Sequence, residues 1–160
     1  MRKMAYIAAA LAVSALAGGQ LVLPDSPIAL SPSQMPLLAG TQASPQVIAL
    51  IERSCQNCHS LKTELPFYGR IFPVSLLLEH DVQTARSNMN LSRWQNYADT
   101  EKSALLSEIG SVVRNHVMPP RRYTLIHPAA RLSDADAALI YQWTRAERQR
   151  LRQSTEPPAE

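Results

Sequence analysis

Apolar side chains recur at helical spacing in several stretches of the chain, and no stretch shows the apolar-polar alternation that is typical of a half-buried β-strand. The first such stretch follows Ser44, a favourable N-cap residue, and Pro45, which is well tolerated in the first turn of a helix. The apolar residues Val47, Ile48 and Ile51 then fall on one face. The pattern predicts a helix from residue 45 to about residue 53.

A second helix is predicted to begin at Pro73 and to end near residues 88–90. A third is predicted to begin at Ser92 or Thr100, since either residue can serve as its N-cap. One face of this third helix is predicted to be buried because four residues recur there at helical spacing: Leu105, Ile109, Val112 and His116. The helix must end at the proline pair that follows Met118, because proline cannot donate to the helical hydrogen-bond ladder.

The last predicted helix begins after Ser133, whose hydroxyl can cap it, and runs to about Arg152. Asp134 and Asp136 lie in its first turn, where negative charge favours the positive end of the helix dipole. Together these segments predict an all-α domain over residues 45–152 with about four helices, followed by a disordered tail over residues 153–160.

The first 17 residues have the organisation of a secretory signal peptide. Arg2 and Lys3 form a basic start, residues 4–16 are predominantly apolar, and small residues at positions 15 and 17 suit cleavage. Residues 18–44 are rich in proline and serine, which predicts an extended leader or tether. The protein is therefore expected in the periplasm, either free after cleavage or anchored to the membrane through a retained N-terminal segment.

The formal net charge of +3 does not indicate a nucleic-acid partner. Arg2 and Lys3 would leave with the signal peptide while all 13 acidic residues remain, so the formal charge would fall to +1. The rest of the chain has no long run of like charge and therefore lacks the basic footprint of a nucleic-acid binder. The arginines at positions 145, 148, 150 and 152 are interpreted as a solvated helix face.

Both cysteines of the chain lie in one pentapeptide, Cys55-Gln56-Asn57-Cys58-His59. Two thiols at this spacing can add to the two vinyl groups of one haem, and the adjacent imidazole can bind its iron. The motif predicts one covalent haem c with His59 as the proximal iron ligand. A disulfide closing so short a loop would stabilise the fold little, a thioredoxin-type dithiol would lie beside a βαβ pattern, and a structural zinc site would need four ligands.

The second axial ligand has to come from elsewhere in the chain, and the candidates are His80, Met89, His116, Met118 and His127. We favour Met118 as the distal iron ligand because it follows an amphipathic helix and precedes two prolines that stiffen the segment. The plain alternative is a methionine that fills a gap in the core. His116 is the main rival, since it lies two residues before Met118 and falls on the apolar face of the third predicted helix. We expect a structural role for His80 and a turn at His127.

The order of a helix, the cysteine motif, a Met-Pro segment and a closing helix resembles class I cytochrome c. Short stretches resemble more closely the haem-binding domain family of exported bacterial proteins: Cys58-His59-Ser60, Pro73-Val74-Ser75, His80-Asp81-Val82, Asn90-Leu91-Ser92-Arg93-Trp94, Met118-Pro119-Pro120 and His127-Pro128. The resemblance covers residues 45–146 and implies a cytochrome c-like helical bundle around a covalently attached haem, with His59 and Met118 as the axial positions to test. Two residues depart from the family pattern, because Ala85 and His116 stand where glycine is expected.

These features predict an electron carrier rather than an enzyme, in which a six-coordinate iron exchanges single electrons with redox partner proteins. Methionine opposite histidine raises the reduction potential relative to a pair of histidines. One alternative is a haem peroxidase or gas sensor with a labile distal site, for which His116 is the suggestive residue. Another is a haem-bearing subunit of a membrane-associated electron-transfer complex, held there by the N-terminal segment.

Overall fold

The structure is a computed structural model that describes residues 2–22 and 36–155. These residues form helices and contain no strand, which confirms the predicted all-α class. The α-helices are α1 (Arg2–Val22), α2 (Pro45–Ser54), α3 (Gln56–His59), α4 (Val74–Asn88), α5 (Asp99–Arg114), α6 (Arg121–Ile126) and α7 (Asp134–Thr155). Three short 3₁₀ helices occupy Phe67–Arg70, Leu91–Asn96 and Pro128–Ala130.

The four helices predicted within the domain correspond to α2, α4, α5 and α7. The helices α3 and α6, with 4 and 6 residues, were not predicted because so short a segment shows no apolar repeat. Ser44 caps α2 as expected, since its hydroxyl oxygen lies 3.3 Å from the Val47 nitrogen that donates to it. At the start of α7 the Ser133 hydroxyl accepts from the Asp136 amide, and the Asp136 carboxylate accepts from the Ser133 amide.

The predicted start of α5 was wrong, because neither Ser92 nor Thr100 caps this helix. It begins at Asp99 after Ala98, whose side chain makes no capping hydrogen bond. Ser92 is instead buried in the 3₁₀ helix Leu91–Asn96, where its hydroxyl accepts from the Leu61 amide at 3.1 Å. Because the Ser92 hydroxyl makes this long-range hydrogen bond, it does not cap α5.

The main helix pair of the core is α5 with α7, and Leu106, Ile109 and Val113 face into it. The buried face predicted for α5 was partly wrong: Leu105 and Val112 lie at its edge, and His116 is exposed beyond the end of the helix. The apolar residues of α5 lie on two neighbouring faces of the helix, so their spacing alone does not show which face is buried. The close approach of α7 selects the face that includes Gly110, where an added Cβ atom would lie 2.7 Å from Thr144 Oγ1.

The packed domain begins before residue 45, so the predicted extent of the leader over residues 18–44 needs correction at both ends. Residues 18–22 belong to α1, and Leu37 and Leu38 are buried in the core. The Leu38 amide also donates to the Leu91 carbonyl at 3.1 Å. Residues 23–35, and residues 156–160 of the predicted tail, lie outside the described residues, whereas 153–155 are helical. Within the described ranges, no helix has the length and apolar character required to cross a lipid bilayer.

Candidate functional site

The cysteine motif forms one helical turn directly after α2. Cys55 ends α2, and its amide donates to the Ile51 carbonyl at 2.8 Å. The His59 amide in turn donates to the Cys55 carbonyl at 3.0 Å. Because residues three and four positions apart lie on the same side of a helical turn, Cys55, Cys58 and His59 face one common region.

The two thiols are free, and both are half-buried. Burial, reinforced by the charge of Cys58, raises the pKa of Cys55 to about 12. Burial and the charge of Asp81 also raise the pKa of Cys58. Both side chains are therefore neutral thiols at neutral pH, unlike the reactive cysteine of a thioredoxin-type dithiol, whose pKa is lowered.

The imidazole of His59 has its tautomer fixed by the backbone. Its Nδ1 lies 3.2 Å from the carbonyl oxygen of Met89, and a carbonyl oxygen can only accept a hydrogen bond. The proton is therefore on Nδ1, which leaves the lone pair of Nε2 for a metal ion. Burial lowers the pKa of His59 although the Met89 carbonyl opposes it, so the ring is neutral, as iron coordination requires.

A buried polar clamp holds the chain immediately after the motif. Arg86 of α4 donates from Nε to the Ser60 carbonyl and from a terminal nitrogen to Thr63 Oγ1, each at 2.8 Å. The Thr63 hydroxyl donates to the Asn57 carbonyl at 2.7 Å. The clamp fixes the motif against α4 through two side chains to which no sequence motif had given a role.

An aromatic network joins the motif to α6 and to the 3₁₀ helix Phe67–Arg70. Asn57, between the two cysteines, donates to the Tyr123 hydroxyl at 3.3 Å. The Tyr123 ring stacks on His127 with 4.4 Å between centroids, and His127 Nε2 shares a short hydrogen bond with the Tyr68 hydroxyl. His127 ends α6 immediately before Pro128, so the predicted turn is present, and its imidazole is engaged by Tyr68.

Met118 lies in the connection between α5 and α6, where its amide donates to the Val112 carbonyl at 3.2 Å. Its side chain is 37% exposed and borders a cavity of ≈ 360 Å³ that is also lined by Thr124 and Leu132. The side chain therefore does not fill a closed core gap. Its pairing with His59 across one haem remains a prediction.

Of the rival ligands, His116 lines the same cavity as Met118 but is paired with Asp134, and the others lie elsewhere. His116 has a positive φ of 53° and an exposed side chain, and its Nε2 lies 3.2 Å from Asp134 Oδ1. The expectation that it faces the core was wrong, because α5 ends at Arg114 before the chain reaches it. The Met89 side chain packs against the core while its carbonyl binds His59, and His80 is exposed on α4.

The residues around the motif fit a covalently attached haem. They offer two neutral thiols and a neutral imidazole with an available Nε2 on one turn. Three large apolar side chains close to Tyr123 in the sequence are exposed: Val117, Leu125 and Ile126. A macrocycle with an apolar face would give these side chains a partner. Among the described residues, no cluster of three or more His, Cys, Asp or Glu side chains is suited to a metal ion.

The chain matches the family model described as the haem-binding domain over residues 15–146. It belongs to the haem-binding domain family. The resemblance inferred from residues 45–146 is thereby confirmed at the level of the family, and the match extends further towards the N-terminus, as does the packed domain.

A similar curated protein is the cytochrome c peroxidase Ccp of Escherichia coli strain K12. This haem-binding domain protein is 30% identical to it over 102 residues, which make up 62% of this chain and 22% of that protein. The chain thus corresponds to less than a quarter of the relative's length. No solved structure matches the chain.

Proposed function

We propose that this haem-binding domain protein is a single-haem c-type cytochrome that transfers one electron at a time in the periplasm. Cys55 and Cys58 would form the thioether links, and His59 and Met118 would be the axial ligands. The observation that carries the proposal is the hydrogen bond from His59 Nδ1 to the Met89 carbonyl. His59 lies on the same helical turn as the two thiols. It presents a neutral imidazole in the tautomer that binds iron.

The protein's own residues account for the proposed attachment. The helical turn places both thiols on the side of the backbone that His59 occupies, and burial keeps them protonated and hence protected from disulfide exchange before attachment. Haem supplies an iron that changes between the ferric and ferrous states. The clamp of Arg86 and Thr63 holds the turn so that the imidazole keeps its orientation.

Met118 is the proposed distal ligand because its thioether is accessible and its backbone is held at both sides. The amides of Val117 and Met118 donate to the Val112 carbonyl, and α6 begins three residues after Met118 and is tied to the motif by Tyr123. A thioether ligand raises the reduction potential relative to a second imidazole. We therefore expect a fairly positive couple.

Mass spectrometry of the denatured protein, expressed in a strain competent for cytochrome maturation, tests the attachment. The chain should retain the mass of one haem, and the Cys55→Ala/Cys58→Ala double variant should lose it. If the unmodified chain has no added mass after denaturation, covalent attachment is wrong. This measurement does not depend on which residue occupies the distal position.

Near-infrared spectra of the ferric protein test the distal ligand. The methionine-to-iron charge-transfer band should be present and should disappear in Met118→Ala. Met89→Leu is the matched control, because it removes another thioether while leaving the carbonyl that binds His59. Persistence of the band in Met118→Ala, or its loss in Met89→Leu, would reject the assignment.

A haem peroxidase with a labile distal site is the second candidate function, and the similarity to a protein named cytochrome c peroxidase favours it. The His116 imidazole, paired with Asp134, is the nearest titratable side chain to Met118 in sequence. Peroxide turnover that collapses in His116→Ala and survives in Met118→Ala would support this candidate. Rapid, complete carbon monoxide binding by the ferrous protein would show an open sixth position and reject simple electron transfer.

Export and partner choice belong to the same proposal. Residues 1–17 would direct the chain to the periplasm, where redox partner proteins would exchange electrons with the haem. Fractionation of cells and N-terminal sequencing of the mature chain would distinguish a cleaved carrier from a protein tethered by residues 1–44. Recovery of the chain only from the cytoplasm would overturn the periplasmic location.

A further inference from the structure

Two adjoining cavities open between α5 and α7, and their walls include neither the cysteine motif nor Met118. Their volumes are ≈ 650 Å³ and ≈ 440 Å³, and both are lined by Arg114, Tyr141 and Arg145. The smaller cavity, which we call the arginine cavity, is also lined by Arg148 and by hydroxyl side chains that include Ser111. The larger cavity includes His116, which the peroxidase candidate uses, whereas no residue of the arginine cavity belongs to either function proposed above.

Three arginines line the arginine cavity, and none of its described lining residues is acidic. The central guanidinium carbons of Arg114 and Arg145 lie 4.9 Å and 6.0 Å from the centroid of the Tyr141 ring. The π-face of the ring attracts each cation but supplies no negative charge to neutralise them. Arg53 and Arg122, by contrast, have the carboxylate partners Asp136 and Asp81. The arginine cavity therefore concentrates uncompensated positive charge.

The interpretation of residues 145–152 as a solvated face needs correction at Arg148. Its Nε is buried and has no hydrogen-bond partner among the described residues. A buried donor without an acceptor costs free energy, and so does the mutual repulsion of nearby guanidinium groups. A negatively charged ligand in the cavity would remove the repulsion.

The larger cavity is less suited to an anion because Asp134 lines it. The Asp134 carboxylate pairs with His116 Nε2 at 3.2 Å and places a negative charge in the wall of the larger cavity. In the arginine cavity, by contrast, the Ser111 hydroxyl accepts from Asn115 at 3.5 Å and keeps its proton for a further acceptor. The charge and the available donors both favour anion binding in the arginine cavity over binding in the larger one.

We propose that the arginine cavity binds an oxyanion, a phosphate or carboxylate group, between Arg114, Arg145 and Arg148. Guanidinium groups donate in a planar fork that fits two oxygens of such a group. The Ser111 hydroxyl donates to a further oxygen. The site is independent of haem attachment.

Isothermal titration calorimetry of the full-length purified protein with inorganic phosphate, at fixed ionic strength in chloride, tests the site. We expect saturable binding with one phosphate per chain. Arg114→Gln and Arg145→Gln, both at exposed side chains, should each weaken binding by about tenfold, because each removes a charge-assisted hydrogen bond. Arg148→Lys keeps the charge but loses the planar fork of donors, and it should also weaken binding.

Arg70→Gln is the matched control, since it removes the same charge from the 3₁₀ helix Phe67–Arg70, outside the cavity. It should leave the affinity within about twofold, a change of less than about 0.5 kcal/mol. Circular dichroism of each variant establishes that the fold is retained. An acetate titration separates a site for any oxyanion from one selective for phosphate, and either result with the same arginine dependence supports the proposal. Absence of saturable binding of both anions, or equal weakening by Arg70→Gln, would overturn it.

Discussion

The tautomer of His59 depends on a main-chain oxygen rather than on another side chain. The Met89 carbonyl accepts from Nδ1, and any residue at position 89 with the same backbone would present the same acceptor. Met89 was a candidate ligand through its thioether, whereas its carbonyl oxygen makes the contact with His59 in the structure. The roles of Cys55, Cys58 and His59 could be inferred from the sequence, because the motif spans only five consecutive residues.

Thr63 provides a test of the buried clamp at the scale of one residue. Thr63→Val removes the hydroxyl that donates to the Asn57 carbonyl and accepts from Arg86. Both partners would lose a buried hydrogen bond, so the free energy of unfolding should fall by about 1–3 kcal/mol. Urea unfolding followed by circular dichroism measures the change.

Thr84→Val is the control, because Thr84 has an exposed side chain on α4. This substitution should change the free energy of unfolding by no more than about 0.5 kcal/mol. If the two threonine variants are equally stable, the clamp contributes nothing to the fold and its role in holding the motif is wrong.

At the scale of the element, the helix starts capped by Ser44 and Ser133 were predicted correctly, whereas the start of α5 was not. Ser44 and Ser133 act as caps because the atoms they bind lie within three residues along the chain. The buried face of α5 depends on where α7 approaches it, and the apolar residues of α5 fit two adjacent faces. Gly110 marks the face that is used, since the smallest residue stands where the helices come closest.

The cap of α7 predicts a dependence of stability on pH. The hydrogen bonds from Ser133, with the help of Arg53, hold the pKa of Asp136 below its usual range. A lowered pKa in the folded state means that the ionised carboxylate stabilises the fold above the ordinary pKa of about 4, and that this contribution disappears as the pH falls through the lowered value. Asp136→Ala should therefore cost about 0.5–2 kcal/mol at pH 7, and the difference from the wild-type protein should shrink as the pH falls below about 4.

Asp134→Ala serves as the comparison for the same turn, because its carboxylate is almost fully exposed. Denaturant unfolding at several pH values should show a smaller loss for this variant at pH 7. A loss for Asp136→Ala that is the same at every pH would mean that the carboxylate acts by packing and not by its charge.

At the scale of the whole molecule, the hydrophobic core includes residues that precede residue 45, where the domain was predicted to begin. Leu38 is 2% exposed although it precedes α2 and lies in a segment expected to be a tether. Leu38→Ala should lower the free energy of unfolding by about 2–5 kcal/mol, because a cavity would remain in the core. Thermal or urea unfolding of the full-length protein measures this loss.

Leu77→Ala is the matched control, since Leu77 is 54% exposed on α4. It should cost no more than about 0.5 kcal/mol. Equal effects of the two substitutions would show that residues before Pro45 do not belong to the folded unit.

The sequence by itself determined the all-α class, the positions of the four longer domain helices, the cysteine motif and the family to which the chain belongs. Helical spacing, capping and the motif all depend on residues within a few positions of each other, so they can be read along the chain. Only the tertiary structure decided the Met89 acceptor, the Arg86 clamp, the link from Asn57 to Tyr123 and the arginine cavity. Asn57 and Tyr123 are 66 residues apart, and no local pattern specifies which of many distant side chains will meet once the helices pack.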